Sequence, residues 1–395
     1  MKKGWTLVPL KEVCLDFIVP QRDKPTAFDG DIPWCRIEDI EGRYLNGSRS
    51  GQKVTKELAD KMNMHLCPKG TVISACSASI GNQAITTTDC YTNQTFIGLV
   101  VNPDLLYNVY LYFFLESQTK SLLSLGQGAT IKYISKDKYK SMLIPLPSIG
   151  EQQRIVSRLD SAFAHIDELK ANAEKQLCEA RALFQRALTK VMEPKEGWEE
   201  KMLGDVCEIF GRIGFRGYTT KDLVPSAEEG AISLSPSNIQ DGKMDYSKCT
   251  YISWFKYEES PEIKIFDGDI LLVKTGSSYG KSALVENLPH AATINPQSVV
   301  LKNMKINTRF FAYQLRTYRV RDEFDKFVSG TAIPTFSQAK LSTVTIYFPS
   351  EEEQQRIVSR LDSLSAHVRE LEEVTQKTIA ECDALKQALL RKVFE

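Results

Sequence analysis

The stretch Gly276, Ser277, Ser278, Tyr279, Gly280, Lys281 and Ser282 follows the apolar run Ile270 to Val273, mimicking a strand that enters a phosphate-binding loop. Such a loop needs four residues between its glycines, so that successive backbone N–H groups wrap a phosphate, and only three stand here. A tight hairpin is the expectation. Adenine methylation would call for an Asp/Asn-Pro-Pro-aromatic motif and a glycine-rich turn for the methyl donor. Asn102-Pro103-Asp104-Leu105 and Asn295-Pro296-Gln297-Ser298 lack the second proline and the ring, and Gly126-Gln127-Gly128 runs into Ala129 and Thr130. Pro261-Glu262-Ile263-Lys264 is a fragment of a metal-nuclease pattern without its upstream aspartate. His165 and His367 occupy matched positions beside an apolar stripe and are expected to be partly buried polar residues. With no Ser, His and Asp set standing out, the chain is expected to be non-catalytic.

Binding chemistry is better represented. Basic and hydrogen-bonding side chains gather near turns at Arg43, Arg49, Lys53 and Lys56; at Ser77, Ser79, Asn82 and Gln83; and at Lys132, Tyr133, Lys136, Lys138 and Lys140. They recur at Arg212 and Arg216; at Lys274, Ser277, Ser278, Tyr279 and Lys281; and at Arg309, Arg316, Arg319 and Arg321. Lys and Arg neutralise phosphates, while Arg, Asn, Gln, Ser and Thr address base edges. Each cluster alone reads as a solvated surface; their coincidence with loops in both halves points to nucleic acid.

The elements that must position these residues are written twice. Glu151 to Ser161 recurs letter for letter at Glu353 to Ser363, an offset of 202 in 395 residues. Over 151–192 and 353–394, within helical spacers 149–194 and 351–395, apolar side chains return at alternating three- and four-residue steps, without internal glycine or proline, which predicts two long helices of roughly 60 Å. Their seam is expected to run through Ile155, Leu159, Ile166, Leu169 and Leu177, and through Ile357, Leu361, Leu364, Val368 and Leu371. Two copies of one seam favour pairing with each other, and a tandem duplication folded about an internal pseudo-two-fold would set the helices antiparallel as a coiled coil. The segments 1–148 and 195–350 are strand-like and turn-rich, and open alike at Gly4-Trp5 and Gly197-Trp198. The fold class is therefore α+β, two similar mixed α/β domains separated by the two helices. Shared landmarks with divergent loops suit two modules of one fold that read different ligands.

The chain has 42% hydrophobic residues and zero net charge, so no global basic signature is present. Nine single cysteines without a CxxC pair fit a reducing compartment and argue against zinc. No apolar run is long enough for a membrane span, and the chain is read as cytoplasmic.

Where Pro145-Leu146-Pro147-Ser148 and Phe348-Pro349-Ser350 run into the repeated Glu-Gln-Gln-Arg-Ile-Val, the sequence resembles the specificity subunit of type I restriction-modification enzymes. The opening Gly-Trp, Gly268-Asp269-Ile270-Leu271-Leu272 and the Gly330 to Ile333 stretch fit the same layout, and the last adds Thr331 to the candidate DNA contacts. The first half departs at Gly70-Thr71-Val72-Ile73. The resemblance implies two target-recognition domains, each reading half of a split double-stranded DNA site, and helices that dock two methyltransferase subunits, with two restriction (endonuclease/translocase) subunits optional. It implies no cofactor on this chain: S-adenosylmethionine, ATP and magnesium would belong to partners. The competing expectation is a coiled-coil protein-interaction scaffold without sequence-specific DNA binding.

Overall fold

Alternating apolar residues in short segments bounded by turns build the sheets, and the two long periodic stretches build the helices. In the computed structural model the described residues are all but 1–3, 21–22, 78, 126–132, 213–216, 329–333 and 395. The chain forms two units, Met1–Glu174 with Thr375–Glu395, and Lys175–Val374.

In the first unit a six-stranded sheet has the order Cys14–Ile18, Phe96–Val101, Val72–Ala75, Gln83–Thr86, Tyr44–Leu45, Ile40–Glu41. Its neighbours are antiparallel except for Tyr44–Leu45 on Gln83–Thr86. The core packs Val72, Ile97 and Leu99 of this sheet against Tyr110, Phe113 and Phe114 of the helix Asn108–Ser117. In the second unit the order is Glu208–Gly211, Ser298–Lys302, Ile270–Val273, Ser282–Leu284, Lys243–Met244, Ile239–Gln240. That is the same strand order in chain sequence, with the same parallel pair, Lys243–Met244 on Ser282–Leu284. A five-stranded sheet accompanies it, where the first unit has a three-stranded one.

Two helices, Ile149–Val191 and Glu351–Phe394, account for both long periodic segments. In the first unit Lys170 pairs with Asp383 at 3.2 Å and Asp167 with Lys386 at 2.5 Å, so ascending positions on one helix meet descending positions on the other. The segments are antiparallel. In the second unit Arg181 meets Glu372 at 2.6 Å.

The expected seam needs correction. Ile155 and Leu159 join the first unit's sheet-domain core with Leu390 and Phe394, and Ile357 and Leu361 join the second's with Phe184 and Leu188. The apolar stripe widens at those helix ends, through Val156, Phe163 and Val358, and covers a domain as well as a helix. Ile166 is buried; Leu177, Leu364, Val368 and Leu371 are half-buried. Leu169 is 60% exposed. At that level the half-buried neighbour Lys170 faces the other helix, its ammonium reaching Asp383 at 3.2 Å. Buried Thr375 and Cys382 fill the facing stripe. His165 and His367 are exposed rather than partly buried, each one residue before the seam positions Ile166 and Val368.

Among the described residues no helix is long and apolar enough to cross a membrane.

Candidate nucleic-acid interface

Sheet direction decides which loops meet. In the first unit Gly98 pairs with Ile18 and Phe96 with Ala75, so Val19, Cys76, Ser77, Ser79 to Asn82 and Asn93 to Thr95 all leave one end of the sheet. Backbone bonds tie them together. The Cys76 N–H donates to the Thr95 carbonyl and the Ile134 N–H to the Cys76 carbonyl, both at 2.8 Å, and Ser77 forms a bridge with Tyr133. The Asn93 carboxamide closes its turn by accepting the Thr95 hydroxyl at 2.6 Å.

The second unit repeats the frame with other side chains. The Lys274 N–H donates to the Gln297 carbonyl at 2.8 Å, the Phe336 N–H to the Lys274 carbonyl at 3.2 Å, and the Gly276 N–H to the Pro334 carbonyl at 2.9 Å. Thr275 bridges Thr335, their hydroxyls 2.9 Å apart. The Asn295 carboxamide accepts the Gln297 N–H at 3.1 Å. A rigid backbone frame with variable polar side chains is what base-edge reading requires.

The segment Gly276 to Ser282 is a turn between antiparallel strands, Ile270–Val273 and Ser282–Leu284, and not a strand-to-helix loop. The Gly280 N–H donates to the Val273 carbonyl at 2.8 Å, and Gly280 adopts φ +79°, a conformation open to glycine at low cost. A Cβ there would fall 2.5 Å from Arg321 Nη1. The corresponding hairpin of the first unit, one residue shorter between Ala75 and Asn82, also places a glycine at positive φ, Gly81 at +102°.

The candidates divide by what they touch. Ser77, Ser79, Asn82 and Tyr133 belong to the first cluster, with Tyr133 exposed. Lys274, Ser277, Ser278, Tyr279 and Lys281 belong to the second, with Ser277 and Lys281 exposed. Burial holds the Lys274 ammonium below its ordinary pKa. The Tyr279 hydroxyl donates to Asp325 at 2.8 Å, and Arg321 lies over its ring at 4.1 Å. Arg49 is bound to its own loop by its N–H to Asp39 at 2.7 Å and its guanidinium to Glu41 at 3.4 Å; Lys53 is exposed on the edge strand Lys53–Val54.

Arg43, Gln83 and Arg212 correct the surface expectation: Gln83 and Arg212 are buried, and Arg43 is half-buried with its guanidinium committed to a partner in the fold. Arg43 pairs with Asp160 and lies over Phe113 at 4.6 Å. Burial opposes its charge, but the bond and charge of Asp160 outweigh that and raise its pKa. Buried Gln83 donates its amide to the Gly81 carbonyl at 2.7 Å and accepts the Glu116 N–H at 3.0 Å. Arg212 is buried, and its Nε and Nη2 donate to the Ile294 carbonyl at 3.2 and 3.1 Å. Lys132, Arg216 and Thr331 lie outside the described residues.

Sequence reasoning missed Asn93 to Thr95 and Asn295 to Gln297. The signal was present: Asn93 and Asn295 stand 202 apart, and an Asn two residues before a polar residue is an Asx-turn signature. Among the described residues no group of three or more His, Cys, Asp or Glu stands where it could hold a metal ion.

The family model described as type I restriction modification DNA specificity domain matches residues 2–179 and again 195–381. The chain belongs to that family. This specificity subunit is 25% identical to the MjaIX specificity subunit of Methanocaldococcus jannaschii, over 99% of its own length and 93% of the relative's. It is 22% identical to the EcoKI specificity subunit of Escherichia coli K12, over 100% and 89%. Among solved structures its fold matches a chain of a type I R-M system described for complex assembly and conformational transition (TM-score 0.76, 22% identity, 100% and 98% covered). It also matches the HsdS subunit of Thermoanaerobacter tengcongensis (TM-score 0.55, 22% identity, 100% and 97% covered).

Proposed function

We propose that the two loop clusters each read one half of a bipartite, asymmetric double-stranded DNA site, with 1–148 and 195–350 as target-recognition domains and the paired helices as both spacer and docking surface for two methyltransferase subunits. Catalysis, and with it S-adenosylmethionine, ATP and magnesium, belongs in this reading to those partners and to optional restriction subunits. The observation that carries the proposal is the repeated strand order with different side chains at matched loop positions: Cys76 and Ser77 against Lys274 and Thr275, Tyr133 and Ile134 against Thr335 and Phe336. One scaffold presented twice with unlike polar edges suits two unlike half-sites.

Two measurements test it. Specific duplex affinity, selected from random pools with and without a methyltransferase subunit, should fall steeply with salt, each neutralised phosphate contributing a log-log slope of about 0.9; a flat response rejects DNA reading. Inserting four residues into one long helix adds about 6 Å and should shift the preferred half-site spacing or abolish binding. Unchanged spacing would refute the spacer role.

A further inference from the structure

The two units part company beside a shared aspartate. After Asp160 the first long helix carries Phe163 and Asp167; after Asp362 the second carries Ser365 and Arg369 at the same offset of 202. The domain helices are also in register, since the Tyr107 and Asn307 amides cap onto the matched Gln152 and Gln354. In that register Glu116 of the first unit becomes Arg316 of the second. All three exchanges remove bulk or negative charge.

The consequence is a cavity of about 550 Å³ in the second unit, lined by Lys243, Tyr313, Arg316, Asp362, Ser365 and Arg369 among others. In the first unit Phe163 is buried edge-on to Phe113, ring centroids 5.5 Å apart, and Arg43 pairs with Asp160. In the second Ser365 leaves that space open. Gly242 belongs to the design: a Cβ there would fall 2.3 Å from the Arg316 guanidinium carbon.

The cations are oversupplied. Asp362 accepts Arg309 at 3.1 Å and the Tyr313 hydroxyl at 2.7 Å, and Arg309 also takes Glu286. Lys243, Arg316 and Arg369 make no ion pair within 4.0 Å among the described residues. Arg316 is held in place by Phe184 and Tyr313, whose ring centroids lie 5.6 and 6.0 Å from its guanidinium carbon. Burial first, then the charges of Arg369 and Arg316, keep the Lys243 ammonium below its ordinary pKa, and the carboxylates Glu286 and Asp362 only partly pull it back. Four cations (Lys243, Arg309, Arg316 and Arg369) face two carboxylates (Glu286 and Asp362) in the lining, so the partly dehydrated cavity carries a net positive charge that an entering anion would neutralise.

We propose that this cavity binds a phosphate group through Lys243, Arg316 and Arg369. The group can come from the duplex backbone or from a free phosphate compound; only the first source rests on the DNA reading. The full-length chain is titrated with inorganic phosphate by calorimetry, and its duplex affinity is followed against salt, alongside Ser365→Phe and Arg369→Asp. Each variant copies the first unit's own residue, and unchanged circular dichroism checks folding. Phosphate affinity at least tenfold weaker in both variants supports the site. A salt slope lowered by about 1 supports it with the backbone as source; an unchanged slope with weakened titration supports it with free phosphate. Phosphate titration and salt slope both unaltered by the two variants overturn it, and wild-type duplex affinity, read in the same experiment, judges the DNA reading separately.

Discussion

The Gln152 side chain accepts the Tyr107 N–H at 2.8 Å and returns its own amide to the Leu105 and Pro147 carbonyls, both at 2.9 Å. This buried carboxamide pins the loop before a domain helix to the first turn of a long helix. Gln354 repeats the arrangement, accepting the Asn307 N–H at 2.9 Å and donating to the Pro349 carbonyl at 2.8 Å. The repeated Glu-Gln-Gln therefore welds each domain to its helix, so that domain orientation follows helix geometry.

Truncating Gln152 to Ala strands the part-buried Tyr107 N–H and Leu105 carbonyl and the buried Pro147 carbonyl, and a fully buried group costs about 1–3 kcal/mol when unsatisfied. The expected loss is about 3 kcal/mol, and somewhat less for Gln354→Ala, which strands two groups. Urea denaturation measures it; a loss below about 1 kcal/mol would mean that water replaces the carboxamide.

The seam correction makes a second prediction. Leu390 is fully buried in the first unit's core, and Leu169 is exposed. Leu390→Ala should cost about 2–5 kcal/mol, and Leu169→Ala within about 0.5 kcal/mol of nothing. Equal costs in the same denaturation assay would restore Leu169 to the seam.

How much of this was legible beforehand depends on whether a local pattern had one physical outcome. The 202-residue repeat and the two helices were legible, because a long uninterrupted period has a single solution. The turn at Gly276 was legible because three intervening residues do not make a phosphate loop. Leu169 was misassigned because 3.6 residues per turn lets a stripe drift, so that Lys170 rather than Leu169 faces the other helix. Arg43 and Arg212 read as surface because charge predicts exposure, yet Asp160 and the Ile294 carbonyl that receive them lie 117 and 82 residues away. Such pairings are properties of the fold rather than of neighbours in the chain.

Thiol chemistry gives a third prediction. Cys178 is exposed, whereas Cys35, Cys67, Cys76, Cys90, Cys207 and Cys382 are buried. Burial pushes Cys67 and Cys207 up to about 12 and Cys76 to about 11, so at neutral pH they hold little reactive thiolate. Native labelling with a thiol reagent should modify Cys178 fast and those six only on unfolding. Mass spectrometry of labelled peptides reads the order, and early modification of Cys67 or Cys207 would contradict the packing described.

Glu116 supplies a pH test. Burial raises its carboxyl above the usual range, and the charges of Arg43 and Lys386 only partly pull it back. The folded chain therefore holds this proton more tightly than the unfolded chain does. Its contribution favours folding as pH falls through the raised folded value and is lost as pH rises above it. Glu116→Gln removes the buried charge while Arg43 keeps Asp160. The variant should melt higher than the parent at pH 7, with an advantage that shrinks on acidification and vanishes below the ordinary glutamate value of about 4.3. Melting curves between pH 4 and 8 measure it. A variant less stable at pH 7 would show that the attraction of Arg43 and Lys386 outweighs burial, and that the carboxylate helps to hold Arg43.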